Sequence, residues 1–486
     1  MRAVTRSPLG RTTTLIAAAI GSTLFAGIMV LAFQNPASVI GAMLLVAAAV
    51  AVIRFPIVAL VALLFVEPFH FAILKALENR AHVDTGVILY WKDALLLALF
   101  VRSIFERAVK DLRFPIRNLA DSLILLYILA FVVIAIASPT RPTVWPALGR
   151  YIEGPILMLT IVFLRPSRTQ LWWCVGAVVA AAAVMGAAGM YEHFFARYDF
   201  HRWYGAGVGE SRAPFLIQGG GYRSGSFVYD PFILGFFLAG SVPLTVALSV
   251  VRSRWRPAVL LAVAACGGGL LVAATRSGYV GGGLAVLVAL LLAVRNPARR
   301  VSLVGLAVVI LGSISLYYLA AGSDTLVRPE SDTLHRERVS RAFAQLEARP
   351  FGYGLGTADH FSVQLAFSAG QLGYTENTYL STALESGMQG LTLYLVAIFA
   401  TVMRLRTVRR RAISARDQAG VALAAGAIAA MVGISVCELF IGVHELVIEL
   451  ALWAPPGIAL AWHYAARRQT IEASSPRRPV PVGPPV

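Results

Sequence analysis

The sequence predicts an all-α protein that crosses a membrane many times, and three observations carry that prediction. Apolar residues make up 58% of the chain and charged residues only 14%, where a soluble globule carries about 25% charged residues. The mean hydropathy is +0.72. Apolar runs of roughly 17–25 residues, each able to cross a hydrocarbon core of about 30 Å, recur along the whole length. At that run length only a helix satisfies its own backbone in lipid, so the expected fold is a polytopic transmembrane helical bundle.

Taken in order, the first element follows Arg2, Arg6 and Arg11 and spans Leu15 to Phe33. It exceeds the roughly 7–15 residues of a signal-peptide core and lacks a small-x-small cleavage site, so a retained helix is expected. Further apolar runs fall at 37–53, 55–73, 86–105, 119–138, 148–164, 171–190, 231–251, 258–274, 278–294, 301–321, 377–403, 418–437 and 448–466, giving about 12 to 14 spans. Cys174, Cys266 and Cys437 all lie in apolar runs, a distribution that suggests neither a disulfide framework nor a metal site.

Lys and Arg number 42 against 25 Asp and Glu, a net charge of +17. In a soluble protein that would suggest nucleic acid; here it reads as positive-inside links against anionic lipid together with an outward arginine cluster, and no nucleic-acid partner is expected. With both termini cytoplasmic and alternating spans, 27 of the 42 basic residues fall inside and 14 outside, with Lys92 in a span. Nine of the fourteen lie in two long outward loops, so the bias in the short loops is strong. The chain then divides into N-terminal helices (1–190), an outward loop (191–230), central helices (231–321), a large outward loop (322–376), C-terminal helices (377–466) and a Pro-rich tail (467–486) expected to be disordered.

The large loop should carry a helix between Asp332 and Pro350. Asp332 can cap it, Leu334, Val339, Ala342, Phe343 and Leu346 give an apolar stripe, and Arg338, Arg341 and Gln345 share another face. The P-F-G-Y-G-L-G-T segment after it either turns backbone N–H groups toward an anion or bends the chain back to the membrane. Three outward features stand at span ends: G-G-G-Y-R-S-G-S-F-V-Y-D-P-F with Arg223, A-T-R-S-G-Y-V-G-G-G with Arg276, and T-E-N-T-Y-L with Glu376. An arginine at a membrane boundary usually snorkels or binds head groups. The link holding Arg276 is only three or four residues long between Gly- and Ala-rich spans that can pack closely, so its guanidinium is expected to face the bundle. Guanidinium is also the side chain suited to phosphate. Glu376 is either a helix-start acid or a proton acceptor. Glu385, inside the span, is costly to bury and should be paired internally.

Four segments, in order, resemble the O-antigen ligases and the related O-antigen and exopolysaccharide polymerases, the Wzy-like family of bacterial membrane glycosyltransferases. They are Y-R-S-G-S-F-V-Y-D-P-F-I-L-G, T-R-S-G-Y-V-G-G-G, the segment from Arg338 and Arg341 through A-F-A-Q-L-E-A-R-P-F-G-Y-G-L-G-T, and E-N-T-Y-L-S-T-A-L-E-S-G-M-Q-G-L, covering mainly residues 219–395. The resemblance implies a GT-C-like bundle with a large periplasmic loop in the bacterial inner membrane. It implies a donor glycan on undecaprenyl diphosphate, attacked at its anomeric carbon by an acceptor hydroxyl, with no cofactor, metal or nucleotide sugar, and a chain-length regulator as a further partner. Arg223 and Arg276 match the family's diphosphate-binding arginines and stand with Glu376 as catalytic candidates. Arg338, Arg341, Asn377, Tyr379 and Glu385 are the substrate-binding candidates. Fixed guanidinium groups would stabilise the charge that grows on the departing diphosphate. Many ligases have His before Asn-x-Tyr where this chain has Glu376, which favours a polymerase of repeat units over a ligase that moves a glycan en bloc to lipid A core or another acceptor. A small-solute transporter is the rival from another class. It would call for internal repeats or broken paired helices, and Lys92/Asp93, adjacent on a helix and so not expected to face each other, is weak support for it.

Overall fold

The computed structural model of the chain describes residues 50, 52–80, 90–111, 118–138, 144–203, 222–251, 253–320, 329–358, 375, 377–440 and 446–474. Every element among them is helical. The principal helices are α1 (Pro56–Val66), α2 (His70–Asn79), α3 (Trp91–Asp111), α4 (Leu119–Ala137), α5 (Val144–Phe163), α6 (Arg168–Tyr191), α7 (Tyr198–Trp203), α8 (Pro231–Ser249), α9 (Arg256–Ala273), α10 (Arg276–Ala293), α11 (Pro297–Ala320), α12 (Pro329–Ala348), α13 (Thr378–Ser414), α14 (Gln418–Cys437) and α15 (Leu446–Ser474). Among the described residues ten helical stretches are long and apolar enough to cross a membrane, α1 and α2 forming one of them. Helices α3 and α11 coincide with two further expected runs. The run 15–33 and nearly all of 37–53 lie outside the described residues.

α15 is the central post: 94% of its apolar window is enclosed by protein, against 33% for the peripheral α4 and α9. Around it, α8, α10 and α14 pack against one another, α5 lies along α15, α6 pairs with α9, and α13 bridges α4 and α14. Small residues permit this closeness. A Cβ on Gly281 of α10 would meet Cys437 Sγ at 2.4 Å and Gly433 O at 2.5 Å on α14, and one on Gly186 of α6 would meet Ala265 O of α9 at 2.3 Å. Close backbone approach of this kind is how helices associate where lipid supplies no hydrophobic drive. The three cysteines are buried thiols.

Hydrogen bonds sort the helix ends into two groups, as alternating spans require. At one end Arg404 of α13 reaches Asp121 and Tyr464, Arg168 reaches Asp417 at 2.8 Å, and Arg409 donates to Leu292 O. At the other, Ser224 N donates to Val272 O and Thr378 N to Glu438 O. These are called the arginine-rich end and the loop end below. Two local expectations change. α13 runs 37 residues, so most of the Arg-rich link after 403 is helix rather than loop. Lys92 does meet its neighbour, at 2.8 Å from Asp93 Oδ1 and 3.5 Å from Glu153 Oε2, because in the first turn of α3 its long stem can fold back across the helix start.

Candidate functional site

The loop that carries Arg223 is held by one buried carboxylate. α6 ends in a π-helical turn, Glu192–Ala196, whose first residue is fully enclosed. Glu192 Oε1 accepts from Tyr222 Oη at 2.5 Å and from Gly225 N at 3.3 Å, with His201 Nε2 of α7 at 2.7 Å. Its Oε2 accepts from Ser224 Oγ and, at 2.6 Å, from Ser226 N. A carboxylate offers about four acceptor sites, so five donors saturate it and fix residues 222–226 as a unit. Arg223, 5% exposed, sits within that unit with its guanidinium 5.6 Å from the centre of the Phe232 ring. Asp230 then caps α8 by accepting from Phe232 N and Ile233 N.

The second arginine is brought to the same end of the bundle by a tight turn. α9 ends at Ala274 in a left-handed conformation (φ 49°), Thr275 is the N-cap of α10, and Arg276 is its first residue, half-buried. Ser224 N donates to Val272 O at 3.0 Å, tying the loop beside Arg223 to the turn that leads into Arg276. α8 closes over the turn at Gly235, where a Cβ would stand 2.3 Å from Thr275 Oγ1.

α12 approaches from the large loop. It starts at Pro329, one turn before the expected Asp332 cap, as suits proline in a first turn. Val339, Ala342 and Leu346 pack on Ala358, Leu380, Leu384 and Tyr353, whereas Phe343, expected in the stripe, is 52% exposed. Arg338 is half-buried and Arg341 exposed on the flank of that contact.

The glycine segment after α12 docks on a kink in α13. Gly387 has φ 75° and interrupts the helix. Leu384 O and Glu385 O accept from Tyr353 N (2.7 Å) and Gly354 N (3.0 Å), and Met388 N donates to Pro350 O. Gly352, Gly354 and Gly356 all have φ between 79° and 106°, the region where glycine alone carries no steric penalty. Of the two readings of P-F-G-Y-G-L-G-T, these bonds match the one that returns the chain to the membrane. Glu385, 1% exposed, completes the clasp: Oε1 accepts from Ala358 N and Oε2 from Tyr151 Oη of α5, both at 2.9 Å.

Asn377 is the N-cap of α13, accepting from Leu380 N and donating to Leu439 O, both at 3.0 Å. Tyr379 Oη donates to Ser435 O at 2.7 Å. The N-T-Y motif thus docks the start of α13 onto the end of α14, where the buried Glu438 accepts from Tyr394 Oη at 2.7 Å. Glu376 lies outside the described residues, immediately before this cap.

Sequence reasoning missed Glu192 and Glu438. Each stands at the last turn of an apolar run, where an acid is ordinarily solvated. A readable signal existed for Glu192 alone: the donor-rich Y-R-S-G-S segment thirty residues on needs an acceptor once it is buried.

The described residues therefore define a multi-pass helical membrane protein whose loop end gathers an arginine-bearing loop, an arginine-bearing helix start and a loop helix. Residues 260–395, from α9 into α13, match the O-antigen ligase family model. The match includes Arg276, Arg338, Arg341, Glu376, Asn377, Tyr379 and Glu385, and it leaves Arg223 outside. It bears out the family that the four segments resembled and supports O-antigen ligase- or polymerase-type glycosyl transfer in general. No curated protein matches the chain.

Proposed function

We propose that the chain polymerises undecaprenyl-diphosphate-linked oligosaccharide repeat units into an exopolysaccharide, capsule or O-antigen at the outer face of the bacterial inner membrane. The observation that supports this reading best is the hydrogen bond from Ser224 N to Val272 O, because it couples the segment of Arg223 to the turn of Arg276. Two guanidinium groups on rigid supports suit a diphosphate. In the proposed reaction the acceptor hydroxyl oxygen forms a bond to the anomeric carbon and the bond from that carbon to the phosphate oxygen breaks. Its electron pair leaves on the lipid diphosphate, facing Arg223 and Arg276, and the hydroxyl proton passes to Glu376. Charge grows on the leaving group during this step, so pre-placed cations favour the transition state over the ground state. Arg338 and Arg341 would meet the glycan or diphosphate from α12. The name of the matching family favours a second reading, in which the same chemistry delivers one finished glycan to lipid A core or another acceptor.

Purified protein given only lipid-linked repeat units is the test. A polymerase yields a ladder of longer lipid-linked chains; transfer of one glycan, only after a lipid A core or protein acceptor is added, identifies a ligase. Arg276→Lys, which keeps the charge and loses the planar fork, should slow the ladder about ten- to a hundredfold at equal expression. Glu376→Gln should abolish it. A wild-type ladder from both variants would refute these roles.

A further inference from the structure

The arginine-rich end holds a second cationic feature, remote from Arg223 and Arg276. A cavity of about 1080 Å³ opens between the end of α13, the start of α14 and the last turns of α15. Arg168, Arg411, Arg416 and Arg467 line it, with Val408 and Trp462 among its apolar wall. Asp417 is the carboxylate in the lining and is already engaged: it accepts from Arg168 at 2.8 Å, from Trp462 Nε1 at 2.9 Å and from Gly420 N at 3.0 Å. Arg168 is held further by its guanidinium 4.8 Å from the Trp462 ring. Arg411 has His463 Nε2 at 3.5 Å. Among the described residues no carboxylate forms an ion pair with Arg411, Arg416 or Arg467.

The backbone shows that one of these cations is placed at a cost. α13 ends with Asp417 N donating to Ala412 O at 2.9 Å and Arg416 N to Ile413 O at 3.1 Å, the pattern of a helix stop whose turning residue is left-handed. That residue is normally glycine, yet here Arg416 occupies it with φ 56°. Strained backbone at a cationic residue that lines a cavity is an observation from which function is properly inferred. The exposed Trp172 and Trp173 stand at the same end, and the Trp172 ring is 5.3 Å from that of Trp462. Tryptophan at this position marks the boundary between hydrocarbon and head groups.

We propose that this cavity binds the phosphate headgroup of an anionic phospholipid, with Arg411, Arg416 and Arg467 on the phosphate and the apolar wall against the glycerol and first acyl carbons. The ligand chemistry is a phosphate ester. The apolar wall and the tryptophan boundary favour a lipid over a free anion as its source.

The test uses the full chain in phosphatidylcholine nanodiscs titrated with labelled phosphatidylglycerol at fixed ionic strength, and in detergent with glycerol 3-phosphate as the soluble competitor. Wild type should bind phosphatidylglycerol saturably, and affinity should fall roughly fivefold per arginine removed, on the order of a hundredfold for Arg416→Gly combined with Arg411→Gln and Arg467→Gln. Arg416→Gly is the decisive single change. It removes the charge and relaxes the backbone, so its melting temperature without anionic lipid should equal or exceed that of wild type while its lipid affinity falls. Unchanged affinity in the triple variant overturns the proposal. Equal competition by glycerol 3-phosphate at matched concentration overturns the lipid as the source and leaves a site for a soluble anion.

Discussion

The two ends of the bundle use the same pair of chemical groups in opposite ways. At the arginine-rich end, guanidinium groups fasten the fold. Arg404 joins α13 to Asp121 of α4 and Tyr464 of α15, Arg168 joins α6 to Asp417, Arg409 takes Leu292 O, and Arg468 takes the carbonyls of Arg165 and Pro166. At the loop end, carboxylates fasten mainly through hydroxyls and backbone amides. Glu192, Glu385 and Glu438 accept from hydroxyls and backbone N–H groups of other elements. The difference teaches which charges at each end are structural. An arginine whose partner is a buried carboxylate holds helices together, whereas Glu192 spends its acceptor capacity mainly on hydroxyls and backbone amides and so positions the segment that carries Arg223.

The sharpest way to break this comparison is to remove a partner at each end. Asp121→Asn keeps the shape and leaves Arg404 facing a neutral amide in a site where the two side chains are 11% and 1% exposed. Losing one member of such a pair should cost about 3–5 kcal/mol. The expected result is a large drop in melting temperature with transfer per folded molecule unchanged. If transfer falls while stability holds, the arginine-rich end is not merely structural.

Glu192→Gln is the matching change at the loop end. Either orientation of the amide turns its NH₂ toward a backbone donor, Gly225 N or Ser226 N, so one buried donor loses its acceptor, at about 1–3 kcal/mol. Because Glu192 fixes residues 222–226, transfer should fall roughly tenfold or more, by way of Arg223. A double-mutant cycle separates positioning from general destabilisation: combined with Arg223→Ala, the Glu192 change should add little further loss of transfer. Full additivity would show that Glu192 acts on stability alone.

The fold class was readable because lipid permits so few solutions. Run length alone placed most helices, and the helix of the large loop followed from its stripe and from Pro350. The site was readable in part. Arg223 stood out as a cation between glycines and Arg276 as one on a tight link between two spans, but nothing in a linear pattern says that Ser224 N meets Val272 O, nor that one acid at the end of α6 collects donors thirty residues away. The docking of the glycine segment on the α13 kink was equally hidden, since it depends on carbonyls that a regular helix would have used itself. Phe343 shows the reverse failure: the stripe was counted correctly, but the partner surface is narrower than the stripe.

The smallest expected effect decides whether the N-T-Y motif belongs to the fastening or to the site. Asn377 both caps α13, through its side-chain oxygen on Leu380 N, and donates to Leu439 O. Asn377→Ala removes both and should cost about 0.5–2 kcal/mol. Asn377→Asp keeps the accepting oxygen at a helix N-terminus, where a negative charge is favourable, and loses only the donation. If the residue fastens α13 to α14, the Asp variant should melt above the Ala variant and both should transfer at wild-type rates once folded. If Asn377 instead donates to the glycan, both variants should lose transfer equally whatever their melting temperatures. A helix start would then serve the fold and the substrate at once, and the separation of structural from functional groups at the loop end would fail at this residue.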